Sequence, residues 1–133
     1  MEENAVKINV DEEAYEEAMI DYQLVVIDIL NKALIENGIE DAELRQNICS
    51  SFDSRQSPLL DQGWLKGATE KVFPEVVFSK RTFCQDEGLL DMEEVILPEY
   101  ASNFHEYGAG SLEEYFGESD QKLSNLDYSI EAS

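Results

Sequence analysis

The chain has 133 residues, and its 9 Lys and Arg against 30 Asp and Glu give a net charge of −21. That length suits one small domain, and a hydrophobic content of 43% supplies a core, so the chain is not an acidic disordered tail from end to end. The charge excludes direct nucleic-acid binding and attraction to anionic membranes, because both draw their affinity from Lys and Arg.

The start, Met1-Glu2-Glu3-Asn4, lacks the basic segment of an export signal. The longest clean apolar run, Leu24 to Ile27, is closed by Asp28, far short of the roughly 20 residues of a membrane span. Cys49 and Cys84 fit neither a metal knuckle nor a CxxC redox motif. Together these features predict a cytoplasmic protein with both cysteines as reduced thiols.

The strongest periodicity runs from Asp11 to Asn37. Tyr15, Met19, Tyr22, Val26, Ile29 and Ala33 recur at steps of four and three, and Ala18, Val25, Leu30 and Leu34 widen the stripe. This is the pattern of a long amphipathic helix. Asn9 or Asp11 caps it, and Asn37-Gly38 closes it. Asp41 then opens a return helix carrying Leu44, Ile48, Cys49 and Phe52, which makes an antiparallel hairpin. The run from Ser50 through Ser57 reads as a break. Ser57-Pro58 reads as the start of a third helix, faced by Leu59, Leu60, Trp64, Leu65, Ala68 and Val72. Gly63 and Gly67 weaken that helix by about 1 kcal/mol each relative to Ala.

Val76-Val77-Phe78 suits a short strand. Leu89 to Leu97 suits either a helix or a strand, and its Leu, Met and Glu favour a helix. Gly108-Ala109-Gly110 reads as a flexible link, and Ser111-Leu112-Glu113-Glu114 as a capping box opening a short helix that ends at Gly117. From Glu118 onward only Leu123, Leu126, Tyr128 and Ile130 are apolar.

The expected architecture is a mainly α single domain built on the long N-terminal helical hairpin, with at most a small β element around residues 76–97; an α+β domain is the alternative. Residues 1–100 form the helical core, and residues 101–133 form an acidic C-terminal segment of partly docked short helices.

The charge is unevenly spread. Residues 1–44 hold 13 acids against 2 bases (−11), residues 45–85 hold 4 against 6 (+2), and residues 86–133 hold 13 against 1 (−12). An excess of this size exceeds the charge of roughly 2 to 8 that solubility asks of a small domain.

No catalytic or cofactor motif is present. The single histidine, His105, has Ser102 three positions before it, so no Glu-x-x-His di-metal motif exists. An EF-hand register starting at Asp120 places Lys122 where a ligand belongs. Glu13, Glu16 and Glu17 share a helix face but lack a second ligand set, and no phosphate-binding loop or nucleophile elbow is found. The reading is therefore a non-enzymatic protein without metal or cofactor. Its expected partner is a basic protein surface, met by Glu12, Glu13, Glu16, Glu17 and Asp21 and by Glu113, Glu114, Glu118 and Asp120. Within this reading lie an inhibitor or immunity-type protein and a nucleic-acid mimic. The wide apolar stripe offers a homo-oligomer as an alternative, and a carboxylate-based enzyme is a third.

Overall fold

The computed structural model describes residues 6–67, 70–84, 89–100, 103–117 and 128. The chain is mainly α with a small sheet. A four-residue strand, β1 (Lys7–Val10), runs directly into a 25-residue helix, α1 (Glu12–Glu36). Asp11 makes this junction. Its backbone N–H donates to the Leu97 carbonyl at 3.0 Å, extending the strand ladder, while its side chain accepts the Ala14 N–H at 3.1 Å and caps the helix. Glu12 and Glu13 then lie in the positive first turn.

At the far end of α1, Gly38 adopts φ +91°, and Ile39 N–H returns to Leu34 O at 3.0 Å. Glycine is suited to this closure because it carries no β-carbon penalty there. Asp41 accepts the Glu43 N–H at 3.0 Å and caps α2 (Ala42–Gln62). Arg45 pins the hairpin turn. Its guanidinium donates to Asn31 Oδ1 at 2.8 Å, to Ile39 O at 2.8 Å and to Glu40 O at 2.9 Å.

The expected break between Ser50 and Ser57 is absent: α2 is continuous and contains Pro58. Proline lacks the N–H that would reach the Ser54 carbonyl, but one missing bond in the penultimate turn does not outweigh burial of the Cys49–Ser57 face. The expected helix through residue 72 is also absent. Gly63 ends α2, with its N–H on Leu59 O at 3.0 Å, and β2 (Leu65–Lys66) pairs antiparallel with β3 (Lys71–Val72). Ala68 lies outside the described residues.

The largest correction concerns residues 89–97, which form a strand and not a helix. β4 (Phe78–Cys84) and β5 (Leu89–Leu97) are antiparallel, β1 joins the other edge of β5 in parallel, and the order is β1-β5-β4. Hydrogen bonding on both edges of Val95-Ile96 overrides the modest helix preference of Leu, Met and Glu. The expected strand at 76–78 begins later and runs longer, from Phe78.

The last helix, α3 (Phe104–Phe116), also starts earlier than the capping-box reading placed it. Gly108 and Ser111 are helical and buried, so neither a flexible link nor a cap occurs there. A β-carbon at Gly108 would lie 2.0 Å from Asp53 Oδ2, so glycine is what lets α3 approach α2 this closely.

Two apolar clusters hold the elements together. One joins Ile27, Cys49, Leu112 and Tyr115; the other joins Tyr15, Met19 and Phe104, with Tyr22, Leu60, Val76, Phe78 and Ile96 against them. Tyr22 stands edge-on to both Phe78 and Phe104. Each fully buried large side chain contributes about 1.5–3 kcal/mol relative to exposure. The buried row of α1 steps by four through Tyr15, Met19, Gln23 and Ile27, whereas Ile29, expected on the stripe, is 45% exposed. Among the described residues no helix is long and apolar enough to cross a membrane.

Candidate partner-binding face and the polar network behind it

The N-terminal half of α1 carries the acidic residues singled out in the sequence, and the structure divides them into two kinds. Glu12 turns inward at the helix start, where its Oε1 accepts the backbone N–H of Glu99 at 2.7 Å and of Tyr100 at 3.3 Å. Glu16 accepts the Tyr107 hydroxyl at 3.3 Å. That carboxylate pushes the Tyr107 hydroxyl pKa up, because a phenolate beside it would meet like charge. Both residues therefore tie α1 to its neighbours.

Glu13, Glu17 and Asp21 are exposed and step by four along one line of the helix. Consecutive members of such a row are about 6 Å apart along the axis. Among the described residues no Lys, Arg or His pairs with any of the three; the ion pairs are Lys32 with Asp28, Lys80 with Glu94 and His105 with Asp61. On α3, Glu113 is exposed and Glu114 half-buried. Glu118 and Asp120 lie outside the described residues.

Behind the acidic face, three polar contacts, two of them buried, fix α3 against α1 and α2, and periodicity counting missed all of them. Gln23 donates from Nε2 to Phe104 O at 2.8 Å and accepts the Ser111 hydroxyl at 2.8 Å. Asp28, 8% exposed, accepts the hydroxyls of Tyr115 at 2.6 Å and Tyr128 at 2.5 Å, and Lys32 Nζ lies 2.9 Å away. Burial pushes the Asp28 carboxyl up, but these three donors outweigh it and hold the pKa below its ordinary value. Burial and the Asp28 carboxylate together raise the Tyr115 pKa strongly. The third contact is a cap supplied across the fold. Asp61 accepts the N–H groups of Phe104 and His105, each at 2.8 Å, and also holds the His105 ring through Nδ1.

An open groove of about 300 Å³ adjoins this cap, lined by Ser50, Asp53, Ser54, Ser57, His105 and Leu112 among others. Burial raises the Asp53 pKa, although the Ser57 hydroxyl, 2.8 Å away, favours the anion. Cys49 is a buried free thiol, and burial raises its pKa too, away from the range of a reactive thiolate. The Cys84 side chain lies outside the described residues. No group of three or more His, Cys, Asp or Glu arranged to hold a metal ion occurs among the described residues. Tyr15, sealed in the core with its hydroxyl donating to Val76 O at 2.6 Å, is pushed up to about 12 by burial and by Glu75, Asp61 and Glu12.

Comparison with family models, with curated proteins and with solved structures found no match.

Proposed function

We propose that this protein is a non-enzymatic binding or regulatory protein that engages a basic partner surface, in the manner of an inhibitor, an immunity-type protein or a nucleic-acid mimic. The observation that carries the reading is the row Glu13, Glu17 and Asp21: exposed, evenly spaced and without a cation among the described residues. Glu12 and Glu16 are occupied by structural contacts, so the row forms the centre of the contact surface and they buttress it. Glu113 extends the exposed charge onto α3. A net charge of −21 adds a long-range field that speeds encounter with a basic surface.

The test is capture of basic proteins by the full chain across a salt series, with the triple variant E13Q/E17Q/D21N alongside. Capture that weakens with salt and is lost in the triple variant supports the reading. Capture that ignores both salt and the triple variant sinks it.

One observation favours a second reading, a carboxylate-based enzyme. Asp53 has a raised pKa and lines an open groove with Ser54, Ser57 and His105. Such a carboxyl is suited to proton transfer. Turnover of any member of an ester, phosphate and glycoside panel, abolished by Asp53→Ala, would decide for it.

A further inference from the structure

We propose that the β2–β3 hairpin is a docking finger for the acidic row of α1 on a second copy of this chain, so that two copies pair about a twofold axis. The proposal rests on the acidic-row reading above and names the partner of that row.

The hairpin is built against its own stability. Its strands are two residues long, and the register places Lys66 directly opposite Lys71 and Leu65 opposite Val72. So short a pair is at best marginal on its own, and like charges in directly opposed positions weaken it further. No carboxylate lies within ion-pair distance of either lysine among the described residues. Glu70, at the turn, contributes its carbonyl to the Gly67 N–H at 3.0 Å. Lys71 Nζ sits 4.6 Å from the centre of the Trp64 ring. Trp64 is 50% exposed, Leu65 and Val72 47% each, and Phe73 57%. Exposed aromatic and apolar side chains clustered around two cations have the composition of an interface anchor.

Charge complementarity selects the occupant. In a chain of −21, the segment 45–85 that carries this hairpin is the one with a positive balance. The matching surface is carried by the same chain: three exposed carboxylates about 6 Å apart along a helix, a spacing close to the roughly 5 Å between the backbones of the two lysines. The two surfaces also lie at the same end of the domain. The last turns of α2 pack through Leu60 against the cluster of Tyr15 and Met19 in the first turns of α1, and the hairpin follows α2 directly. A molecule that carries both a cationic finger and an anionic row toward one end is self-complementary. A twofold arrangement satisfies each finger with the partner's row and each row with the partner's finger. Screening over about 8 Å at physiological salt confines the remaining repulsion between two acidic bodies to surfaces in near contact. A long polyanion such as a nucleic acid runs beyond two lysines onto acidic surface, which disfavours it.

Sedimentation equilibrium of the full chain at physiological salt, from micromolar to sub-millimolar concentration, tests this. The wild type is expected to dimerise. K66E/K71E and E13K/E17K/D21K are each expected to weaken self-association by at least about tenfold, the equivalent of about 1.4 kcal/mol. An equimolar mixture of the two variants is expected to restore a dimer, because each then presents the other's complement. Circular dichroism on each variant verifies that the fold is kept. A wild type that stays monomeric, variants that dimerise as the wild type does, or a mixture that fails to recover would each overturn the proposal. So would lysine-dependent binding of a single-stranded oligonucleotide without self-association. If the wild type is monomeric while E13Q/E17Q/D21N still abolishes capture of a basic protein, this inference alone falls. If neither property responds to the row, both readings fall together.

Discussion

Asp61 fastens the start of α3 from the last turn of α2, 43 residues upstream of Phe104. One carboxylate satisfies two of the orphan N–H groups of a helix whose own cap residue, Asn103, makes no side-chain cap bond, and it also holds the ring of His105. Its 4% side-chain exposure leaves little room for water to substitute. Asp61→Ala is expected to cost about 2 kcal/mol, the upper end for loss of an N-cap, because two donors lose their acceptor together. Urea unfolding checks this, with Asp61→Asn retaining part of the cap.

The same pair gives a pH dependence of definite sign. The hydrogen bond to Asp61 raises the His105 pKa against partial desolvation, with the charges of Asp61 and Glu106 adding to it. A raised value in the folded state means the protonated ring is stabilised by folding. The contribution is fully present below the ordinary imidazole value of about 6.5 and is lost as pH rises through the folded value. The stability difference between wild type and His105→Gln is therefore expected to be largest near pH 5.5, about one unit below that reference, and to shrink on the alkaline side. A difference that grows with pH would contradict the pairing.

Asp28 works in the opposite direction. Its depressed pKa makes its contribution present above the ordinary carboxylate value of about 3.9 and lost as pH falls through the folded value. Asp28→Asn keeps the shape but removes the anion that Tyr115, Tyr128 and Lys32 face. At neutral pH it is expected to cost about 2 kcal/mol, typical of a hydrogen bond to a charged group, with the gap to wild type closing in acid. Chemical denaturation at several pH values measures both. Tyr128→Phe removes one donor of the three and is expected to have the smaller effect.

What could be read from the chain follows the range of each interaction. Asp11, Asn37-Gly38 and Asp41 act on neighbours within five residues, and all three helix boundaries stand where local chemistry put them. Leu89–Leu97 was ambiguous on local grounds, and the partners that decide it, β1 and β4, approach from distant sequence. β1 itself was missed, being four residues whose apolar positions Ile8 and Val10 remain exposed. Gln23 and Asp28 escaped notice because helical periodicity counts apolar residues, and these two are buried by virtue of partners on α3 and beyond. The acidic start of α1 was legible as a group, Glu12, Glu13, Glu16, Glu17 and Asp21; which of them stand exposed in a row was not. Nor was the diversion of Glu12 and Glu16 into structural bonds, since Glu99, Tyr100 and Tyr107 are more than 80 residues away.

Gly108 offers a direct test of helix packing. A methyl group there meets the Asp53 carboxylate at 2.0 Å for Oδ2 and 2.7 Å for Cγ, closer than any atoms can stand without movement. Asp53 has little freedom to yield, because its other oxygen accepts the buried Ser57 hydroxyl. Gly108→Ala is therefore expected to destabilise by about 1–3 kcal/mol, the usual cost of overpacking, despite the better helix propensity of Ala. Asp53→Ala in the same background removes the clashing atoms and is expected to recover part of the loss. A double-mutant cycle with near-zero coupling would mean the two residues are not in contact.

Pro58 is the residue whose local meaning the fold overrides most openly. It sits inside α2, five residues before the helix ends at Gly63, and leaves the Ser54 carbonyl without its helical N–H. The Ser54 hydroxyl turns back to Ser51 O at 3.0 Å, and Ser57 bonds to Asp53, so neither serine repairs the gap. The helix persists because Cys49, packed on Leu112 and Tyr115 of α3, and Ser57, immediately before the proline, are both buried. Removing the proline is expected to relieve a penalty of about 3 kcal/mol in the folded state and to return about 1 kcal/mol of chain entropy to the unfolded one. Pro58→Ala should then stabilise the protein by about 2 kcal/mol, read as a higher urea midpoint with an unchanged slope. A loss of stability would mean that the ring's packing on the groove wall is worth more than the missing hydrogen bond.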